Sequence, residues 1–280
     1  MTKTKTKEKL PTKLQDFEEV VQFTEDFKLE KNRSLITFCG DSYNKWIQDI
    51  FPFANGMSSM TPSEAKNDGG LQVGKYIFYL RPLPMYRRGS RWEGTRFSGF
   101  MGLQDKNLIV KREKLGLYRS GRINCHCAFD AEVNIPILAL KNKYDDNLAV
   151  WMSLTPNEVL TQRSQVKRAK GNVGMAGLGL GWAARRVLER KKVDHLTVVE
   201  RDLDVIKTFG NPLKEEFGDK LTLVCGDAYE QDWMPYDVSL WDIWADYGGV
   251  AWDRKFEKIR KDLELAGKAC VYWGSISIRY

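Results

Sequence analysis

Residues 172–182 read NVGMAGLGLGW, and this segment is the strongest indication of the fold in the sequence. The apolar run 172–176 has the length of a buried strand, and a helical pattern over 182–191 follows it. Between them lies the turn Gly177–Gly181, whose glycines let the backbone bend tightly and approach a ligand without a Cβ clash. A strand, a glycine turn and a helix in this order predict the first unit of a parallel sheet that binds a nucleotide-like ligand at the turn.

The residues after this unit continue the alternation of strands and helices. The pattern predicts strands at 196–199, 221–224, 238–241 and 269–273, and helices at 203–209 and 256–265. Alternating strands and helices are typical of a sheet with helices on both faces. We therefore expect an α/β fold, a Rossmann-like doubly wound and mainly parallel sheet.

The residues before this sheet have mainly β character. Turn residues separate predicted strands at 34–39, 76–80, 108–110, 135–140 and 148–152; residues 41–50 predict a helix and 52–74 a loop. We expect a flexible basic tail at 1–13, a mainly β N-terminal α+β domain at 14–153, and the Rossmann-like domain at 154–280.

Two acidic residues follow the second and third strands of this domain. Glu200 lies 21 residues after Gly179, where an acid can hydrogen-bond both hydroxyls of a ribose. Asp227 can accept a hydrogen bond from an adenine amino group, or it can cap a helix. Together with the glycine turn they predict an adenosine-containing ligand. The spacing Gly179, Gly181 and Ala184 also leaves a nicotinamide-dependent oxidoreductase open.

The net charge of +7 is concentrated in one segment of the 280-residue chain. Residues 81–122 contain eleven basic and three acidic residues, with aromatic residues between them. Arginines interleaved with aromatic rings suit nucleic acid or another polyanion, and we name Arg87, Arg88 and Arg91 as candidate contacts. A solvated basic face is the alternative.

Composition excludes several classes of protein. No apolar run has the roughly 18 residues of a transmembrane helix, and the Thr- and Lys-rich N-terminus is not a secretory signal, so we expect no membrane association.

Five cysteines without paired spacing favour a reducing, cytoplasmic location. Cys125-His126-Cys127 offers three ligands where structural zinc takes four, so we expect a strand there and no metal. Homo-oligomerisation stays open.

Residues from about 172 to 274 resemble the class I S-adenosylmethionine-dependent methyltransferase fold, and within it the spermidine synthase branch. The stretches that carry the resemblance are Gly177-x-Gly179-x-Gly181, Val199-Glu200-x-Asp202, Gly226-Asp227-Ala228, and Tyr236-Asp237-Val238 followed by Asp242. The β-rich region before them occurs in that branch too. Two strands that normally end the fold are missing here, so the resemblance implies a C-terminally truncated version of it.

The resemblance implies a role for each matching position. Gly177, Leu178, Gly179 and Gly181 would lie against the methionine part and ribose of S-adenosylmethionine. Glu200, next to Arg201, would hold the ribose hydroxyls. Asp227 and Ala228 would face the adenine. Asp242 would be the catalytic carboxylate that binds or deprotonates the acceptor, and the residues expected to line the acceptor pocket are Trp241, Trp244, Asp246 and Tyr247.

The leading hypothesis is a methyltransferase that uses S-adenosylmethionine on an unidentified acceptor, with nucleic acid as one candidate. The alternative is a polyamine aminopropyltransferase that uses decarboxylated S-adenosylmethionine. Against it, the stretch Thr155–Arg163 stands where that branch carries a Tyr-His-Glu run. A further alternative is a non-catalytic binding or structural protein on the same scaffold.

Overall fold

The computed structural model describes residues 34–38, 40–83, 103–105, 123–129, 131–141, 148–154, 158, 162, 165–244 and 253–272. The expected basic tail at 1–13, the predicted strand at 108–110 and most of the basic segment 81–122 lie outside these residues. Among the helices that the structure describes, none is both long and apolar enough to cross a membrane.

The strands and helices account for most of the described residues. The strands are β1 Ser34–Phe38, β2 Leu71–Val73, β3 Tyr76–Leu83, β4 Leu103–Asp105, β5 Ile123–Phe129, β6 Val133–Lys141, β7 Leu148–Ser153, β8 Gly171–Ala176, β9 Val193–Glu200, β10 Leu221–Cys225, β11 Val238–Trp241 and β12 Ala269–Tyr272. The longer helices are α1 Gly40–Ile50, α2 Trp182–Leu188, α3 Asn211–Phe217 and α4 Arg254–Leu265.

The last five strands form one parallel sheet in the order β10-β9-β8-β11-β12. The chain moves outward from β8 to β10 and then returns to the other side of β8 for β11. The order therefore reverses between β8 and β11, the position where open α/β sheets bind ligands. The predicted Rossmann-like α/β fold is confirmed.

The predicted helix at 203–209 is longer in the structure. It begins at Leu203, passes through a π turn at Ile206–Gly210 and continues as α3 to Phe217. Gly210 and Pro212 suggest a helix end in the sequence. Pro212 lies in the first turn of α3, where a missing backbone N–H costs little, so the helical run continues past it.

Two smaller sheets are built from the earlier strands. Strands β2, β3, β6 and β7 form one sheet in that order, and β1 and β4 flank β5 in the other. The predicted strand at Cys125–Cys127 lies within β5. The prediction of a loop over 52–74 was wrong in part, because this range contains β2 and short helical turns such as Pro52–Ala54. Val73 of β2 is buried, and this one apolar residue holds the strand against the core. A strand of three residues is too short to show the alternation of apolar and polar residues from which strands are predicted.

The contacts among residues divide the chain into two compact units. One comprises residues 1–61 and 80–136, and the other comprises 62–79 and 137–280. The second unit therefore includes part of the four-stranded sheet along with the parallel sheet, whereas the predicted N-terminal domain at 14–153 contains all four strands of that smaller sheet. Contacts such as Phe78 with Phe209, whose ring centroids are 5.8 Å apart, account for this grouping.

Candidate functional site

Strand register brings the candidate residues to one edge of the parallel sheet. Ala176 at the end of β8 pairs with Val199 on β9 and with Trp241 on β11. The next residues, Gly177, Glu200 and Asp242, therefore leave three adjacent strands at the same level. Cys225 pairs with Glu200, so Asp227 follows at the same edge beyond β10.

The glycine turn is tightly enclosed where it leaves β8. Gly177 has φ +88°, and a Cβ at this position would lie 2.4 Å from the carbonyl oxygen of Asp242. The Gly177 N–H donates to Val199 O at 2.9 Å, while Asp242 N–H donates to Ala176 O at 3.0 Å. The switch point between β8 and β11 thus requires glycine at position 177, both for the backbone angle and for the space.

Glu200 holds the glycine turn in place. Its side chain is 9% exposed, Oε2 accepts from the Leu178 N–H at 3.0 Å, and Oε1 accepts from the Asp202 N–H at 3.0 Å. A carboxylate has about four acceptor positions, so these two bonds leave capacity for ligand hydroxyls. Glu200 is therefore both a support of the turn and a candidate ligand group.

Asp227 starts the turn after β10. Its Oδ1 accepts from the Tyr229 N–H at 2.9 Å within a local turn. No helix begins between Cys225 and Val238, so Asp227 is not the helix cap that the sequence also allows. The side chain is exposed, and beside it a Cβ at Gly226 would meet only Val224, at 3.9 Å. Ala228 is buried, and its carbonyl accepts from Trp233 Nε1. The hydrogen bond from Trp233 therefore holds the backbone at Ala228 in place, while few atoms lie near Gly226.

Asp242 lies in an acidic, partly buried cluster. Gln162 Nε2 donates to Asp242 Oδ2 and to Glu158 Oε1, both at 2.5 Å. Burial raises the pKa of Asp242 to about 7, even though the Gln162 hydrogen bond acts to lower it. Burial, and then the charge of Asp242, raise the pKa of Glu158 well above its usual value.

Sequence reasoning missed Glu158 and Gln162 as site residues. They belong to the stretch Thr155–Arg163, which attracts notice only because it lacks the Tyr-His-Glu run. Residues four positions apart lie on the same face of a helix, so the spacing of Glu158 and Gln162 was a sequence signal that could have indicated a shared site. No local pattern shows that Asp242, 80 residues after Gln162, faces them.

The expected acceptor-pocket residues have different environments. Trp241 is fully buried, with its ring centroid 4.5 Å from that of Trp233 and 5.0 Å from that of Phe256, so we place it in the core. Trp244 Nε1 donates to Asp253 Oδ2 at 2.9 Å. The candidates that lie outside the described residues are Asp246, Tyr247, Arg87, Arg88 and Arg91.

Two further segments of the same unit lie against the glycine turn and the end of β9. The Met152 sulfur of β7 would be 3.1 Å from a Cβ at Gly179. Lys75, in the turn between β2 and β3, lies 3.5 Å from Asp202 Oδ2. Arg201, the residue after the end of β9, is exposed. In the part of the chain that the structure describes, no three Cys, His, Asp or Glu residues are grouped as a metal site.

No protein-family profile matches the chain, and a search of curated proteins finds no similar sequence. Solved structures with partial similarity include a dimethyladenosine transferase from Plasmodium falciparum, at 15% identity and a TM-score of 0.31, covering 42% of this chain and 39% of that one. Others are a putative RNA methyltransferase from Pyrococcus horikoshii (21%, TM-score 0.28, 36% and 48%) and spermidine synthase from Thermotoga maritima (20%, TM-score 0.27, 39% and 43%).

The chain spans less than half the length of each of these three structures. Because their TM-scores are low, the assignment of the fold rests on the strand order of this chain itself. The parallel sheet β10-β9-β8-β11-β12 has a Rossmann-like α/β topology, and its candidate site lies at the carboxyl ends of the strands.

Proposed function

We propose that the chain binds S-adenosylmethionine at the carboxyl edge of its parallel sheet and transfers the methyl group to an acceptor. The observation that carries the proposal is the position of Glu200, whose carboxylate accepts a hydrogen bond from the Leu178 N–H of the glycine turn. This turn lies at the topological switch point of the sheet. A ribose at that place would meet a carboxylate already oriented by two backbone N–H groups. Asp227 supplies a second carboxylate one strand further along.

The residues present fit an adenosine group. Glu200 keeps acceptor capacity for two vicinal hydroxyls, and among the described residues Asp227 Oδ2 accepts no hydrogen bond, so it is available to an amino group. A Cβ at Gly226 would meet only Val224, at 3.9 Å, so no side chain crowds the backbone at this position. Apolar side chains at Leu178 and Leu180 are buried and hold the turn from beneath.

The cofactor, when bound, supplies a methyl group on a sulfonium with its leaving group already in place. The protein would contribute orientation, which accounts for much of the rate enhancement in such displacements. The glycine turn and Glu200 would hold the ribose, and Asp227 would hold the adenine. Asp242, with a pKa near 7, is suited to take a proton from the acceptor.

We infer that the methyl acceptor is a polyanion, with nucleic acid as the first candidate. The charge of residues 81–122 supports this inference, because eleven basic side chains within 42 positions would attract a phosphate backbone.

A second candidate function is aminopropyl transfer to an amine from decarboxylated S-adenosylmethionine. The observation that favours it is the pair of carboxyl groups, Glu158 and Asp242, joined through Gln162. Acidic groups of this kind suit a cationic amine better than a phosphate polymer. The two candidate functions therefore differ in the acceptor that would bind next to Asp242, which is a cationic amine in one and a polyanion in the other.

Calorimetric titration tests the cofactor proposal. The purified chain is titrated with S-adenosylhomocysteine, S-adenosylmethionine, decarboxylated S-adenosylmethionine, methylthioadenosine and NAD. We expect binding of S-adenosylhomocysteine, weakened at least about tenfold (~1.4 kcal/mol) in Glu200→Gln and in Asp227→Ala. Preference for the decarboxylated compound would favour aminopropyl transfer, and binding of NAD alone would overturn the proposal.

Asp232→Ala is the matched control for Asp227→Ala. Asp232 is also exposed, and its Oδ1 accepts from the backbone N–H two residues later, Met234, at 2.9 Å. Both substitutions therefore remove the same kind of local turn bond. Only the loss of Asp227 should weaken ligand binding. Equal weakening by both would assign the effect to the loop rather than to a ligand contact.

A further inference from the structure

Met152 is the residue near the glycine turn that the cofactor proposal leaves without a role. It belongs to β7 of the four-stranded sheet and to the compact unit that contains the parallel sheet. A Cβ placed on Gly179 would lie 3.1 Å from Met152 Sδ and 3.7 Å from Cε, and outside the turn it would meet no other described residue within 4 Å. The Met152 side chain therefore covers the middle of the turn.

Met152 contacts the turn on its accessible side. Leu178 and Leu180 are 4% and 7% exposed, so their side chains fill the buried side of the turn. Gly179, between them, is half-buried, and so is Met152. A ligand that reaches the turn has to approach from the side of Gly179 that Met152 covers, and it would therefore contact Met152.

The position of Met152 is fixed by a strand rather than by a loop. Met152 pairs with Leu138 on β6, and the Leu138 side chain is fully buried. The ring of the preceding residue, Trp151, lies with its centroid 6.1 Å from that of Tyr76 on β3. A methionine side chain is apolar and unbranched, so it can adapt to a ligand while its backbone stays in place.

The order of the strands assigns Met152 to one part of an adenosine ligand. Asp227, the expected adenine contact, follows β10, and Glu200, the expected ribose contact, ends β9. The glycine turn follows β8, on the other side of β9 from β10. With adenine and ribose at these positions, the group on the 5′ carbon of the ribose would extend over Gly179 and meet Met152.

We propose that Met152 is a specificity-determining residue that contacts the 5′ substituent of the bound adenosine and selects a sulfur-containing substituent over a pyrophosphate. This inference rests on the proposed function, because it uses the orientation of adenosine given there. A pyrophosphate would lose hydration against the apolar side chain, whereas a thioether has little hydration to lose. The polarisable sulfur of methionine also suits contact with another sulfur group.

The packing of Gly181 supports the same selection. In a dinucleotide fingerprint the second glycine lets the backbone approach the pyrophosphate, and Gly181 has this place in the spacing Gly179, Gly181 and Ala184. A Cβ at Gly181 would instead lie 3.3 Å from the carbonyl oxygen of Phe209 and 3.4 Å from Leu213 Cδ1. The space that glycine leaves here is filled by the chain itself, so this glycine serves packing rather than a phosphate.

Calorimetric titration with ligands that share adenosine and differ at the 5′ carbon tests the role of Met152. The purified chain is titrated with adenosine, methylthioadenosine, S-adenosylhomocysteine and ADP. We expect the wild type to bind both sulfur compounds at least about tenfold more tightly than ADP. Met152→Ala should weaken both sulfur compounds about tenfold and change the affinity for adenosine by less than about twofold, because it removes only the contact with the 5′ substituent. Met152→Leu should restore most of this loss, because its side chain is apolar and of similar volume.

Met152→Lys tests the selection in the opposite direction. Lysine has a similar length but carries a cation, so it should reduce the preference for S-adenosylhomocysteine over ADP by at least about tenfold. Val150→Ala is the control for a shortened side chain on the same strand. Val150 is 38% exposed, and its replacement should leave all four affinities unchanged.

The outcomes separate this inference from the cofactor proposal. If the wild type binds neither adenosine nor the sulfur compounds, the cofactor proposal fails and the role of Met152 fails with it. If the wild type binds S-adenosylhomocysteine, two results overturn only the role of Met152. One is that Met152→Ala weakens adenosine as much as the sulfur compounds or weakens none of them, and the other is that the wild type binds ADP as tightly as S-adenosylhomocysteine.

Discussion

Asp253 shows how a single residue organises the region next to the candidate site. Oδ1 caps α4 by accepting from the Phe256 N–H at 2.9 Å. Oδ2 accepts from the Tyr229 hydroxyl and from Trp244 Nε1. One carboxylate therefore connects the turn after β10, the residues after β11 and the first turn of α4.

Asp253→Asn should destabilise the chain by about 1–3 kcal/mol, because asparagine can still cap α4 through Oδ1 but its amide nitrogen cannot accept the hydrogen bond from Trp244 Nε1. Partial burial acts to raise the pKa of Asp253, but the bonds from Phe256, Tyr229 and Trp244 outweigh it and keep this pKa below its usual value. The carboxylate therefore stabilises the fold above pH ~4, and this contribution is lost as the pH falls through the lower folded-state pKa.

Urea unfolding, followed by tryptophan fluorescence, measures the effect of Asp253→Asn between pH 7 and pH 2. The difference between wild type and variant should be constant near neutral pH and shrink below about pH 4. A difference that does not change with pH would show that the carboxylate charge is not the cause.

The turn between β2 and β3 packs against the residues that follow Glu200, and nothing in the sequence predicts this contact. A Cβ at Gly74 would lie 2.3 Å from Asp204 Oδ2, and Lys75 lies 3.5 Å from Asp202. The Asp202 N–H in turn donates to Glu200 Oε1. The ion pair between Lys75 and Asp202 is at the surface and contributes little stability by itself. We therefore attribute the support of Asp202, and through its N–H of Glu200, to the close packing of this turn.

Gly74→Ala should destabilise the chain by about 1 kcal/mol more than Gly267→Ala. Gly74 has φ +56° and Gly267, in the turn after α4, has φ +72°, so alanine is strained at both positions. A Cβ at Gly267 meets nothing within 4 Å, whereas at Gly74 it displaces the Asp204 carboxylate. Equilibrium unfolding of the two variants measures the difference. Equal effects would show that the turn does not pack against residues 202–204.

At the scale of the whole molecule, the distribution of charge is the dominant feature. The net charge of +7 arises within residues 81–122, because the rest of the chain is almost neutral. A concentrated charge of this kind produces binding to polyanions that depends strongly on salt.

The variant Arg87→Gln/Arg88→Gln/Arg91→Gln should bind RNA and DNA more weakly than the wild type. The slope of log K against log salt concentration should fall by about 0.9 for each arginine that contacts a DNA phosphate. Fluorescence anisotropy with labelled oligonucleotides at several salt concentrations measures both quantities.

The control for this variant removes the same charge from the second unit. Lys191, Lys192 and Lys258 are exposed there, and replacing all three with glutamine should leave the salt slope nearly unchanged. An equal loss of slope in the control would show that net charge, and not the segment 81–122, attracts the polyanion.

The parallel sheet and the candidate groups on its edge could be predicted from the sequence. Gly177 and Glu200 directly follow predicted strands, and Asp227 lies three residues after one. All three are recognisable because strand ends depend on local patterns of apolar residues. The residues that face these groups could be identified only from the folded chain. Asp242 meets Gln162 across 80 residues of sequence, and Trp241 is in the core rather than at a pocket. Local periodicity places a residue on its own strand or helix, whereas such long-range contacts depend on strand order and register, which no short stretch of sequence encodes.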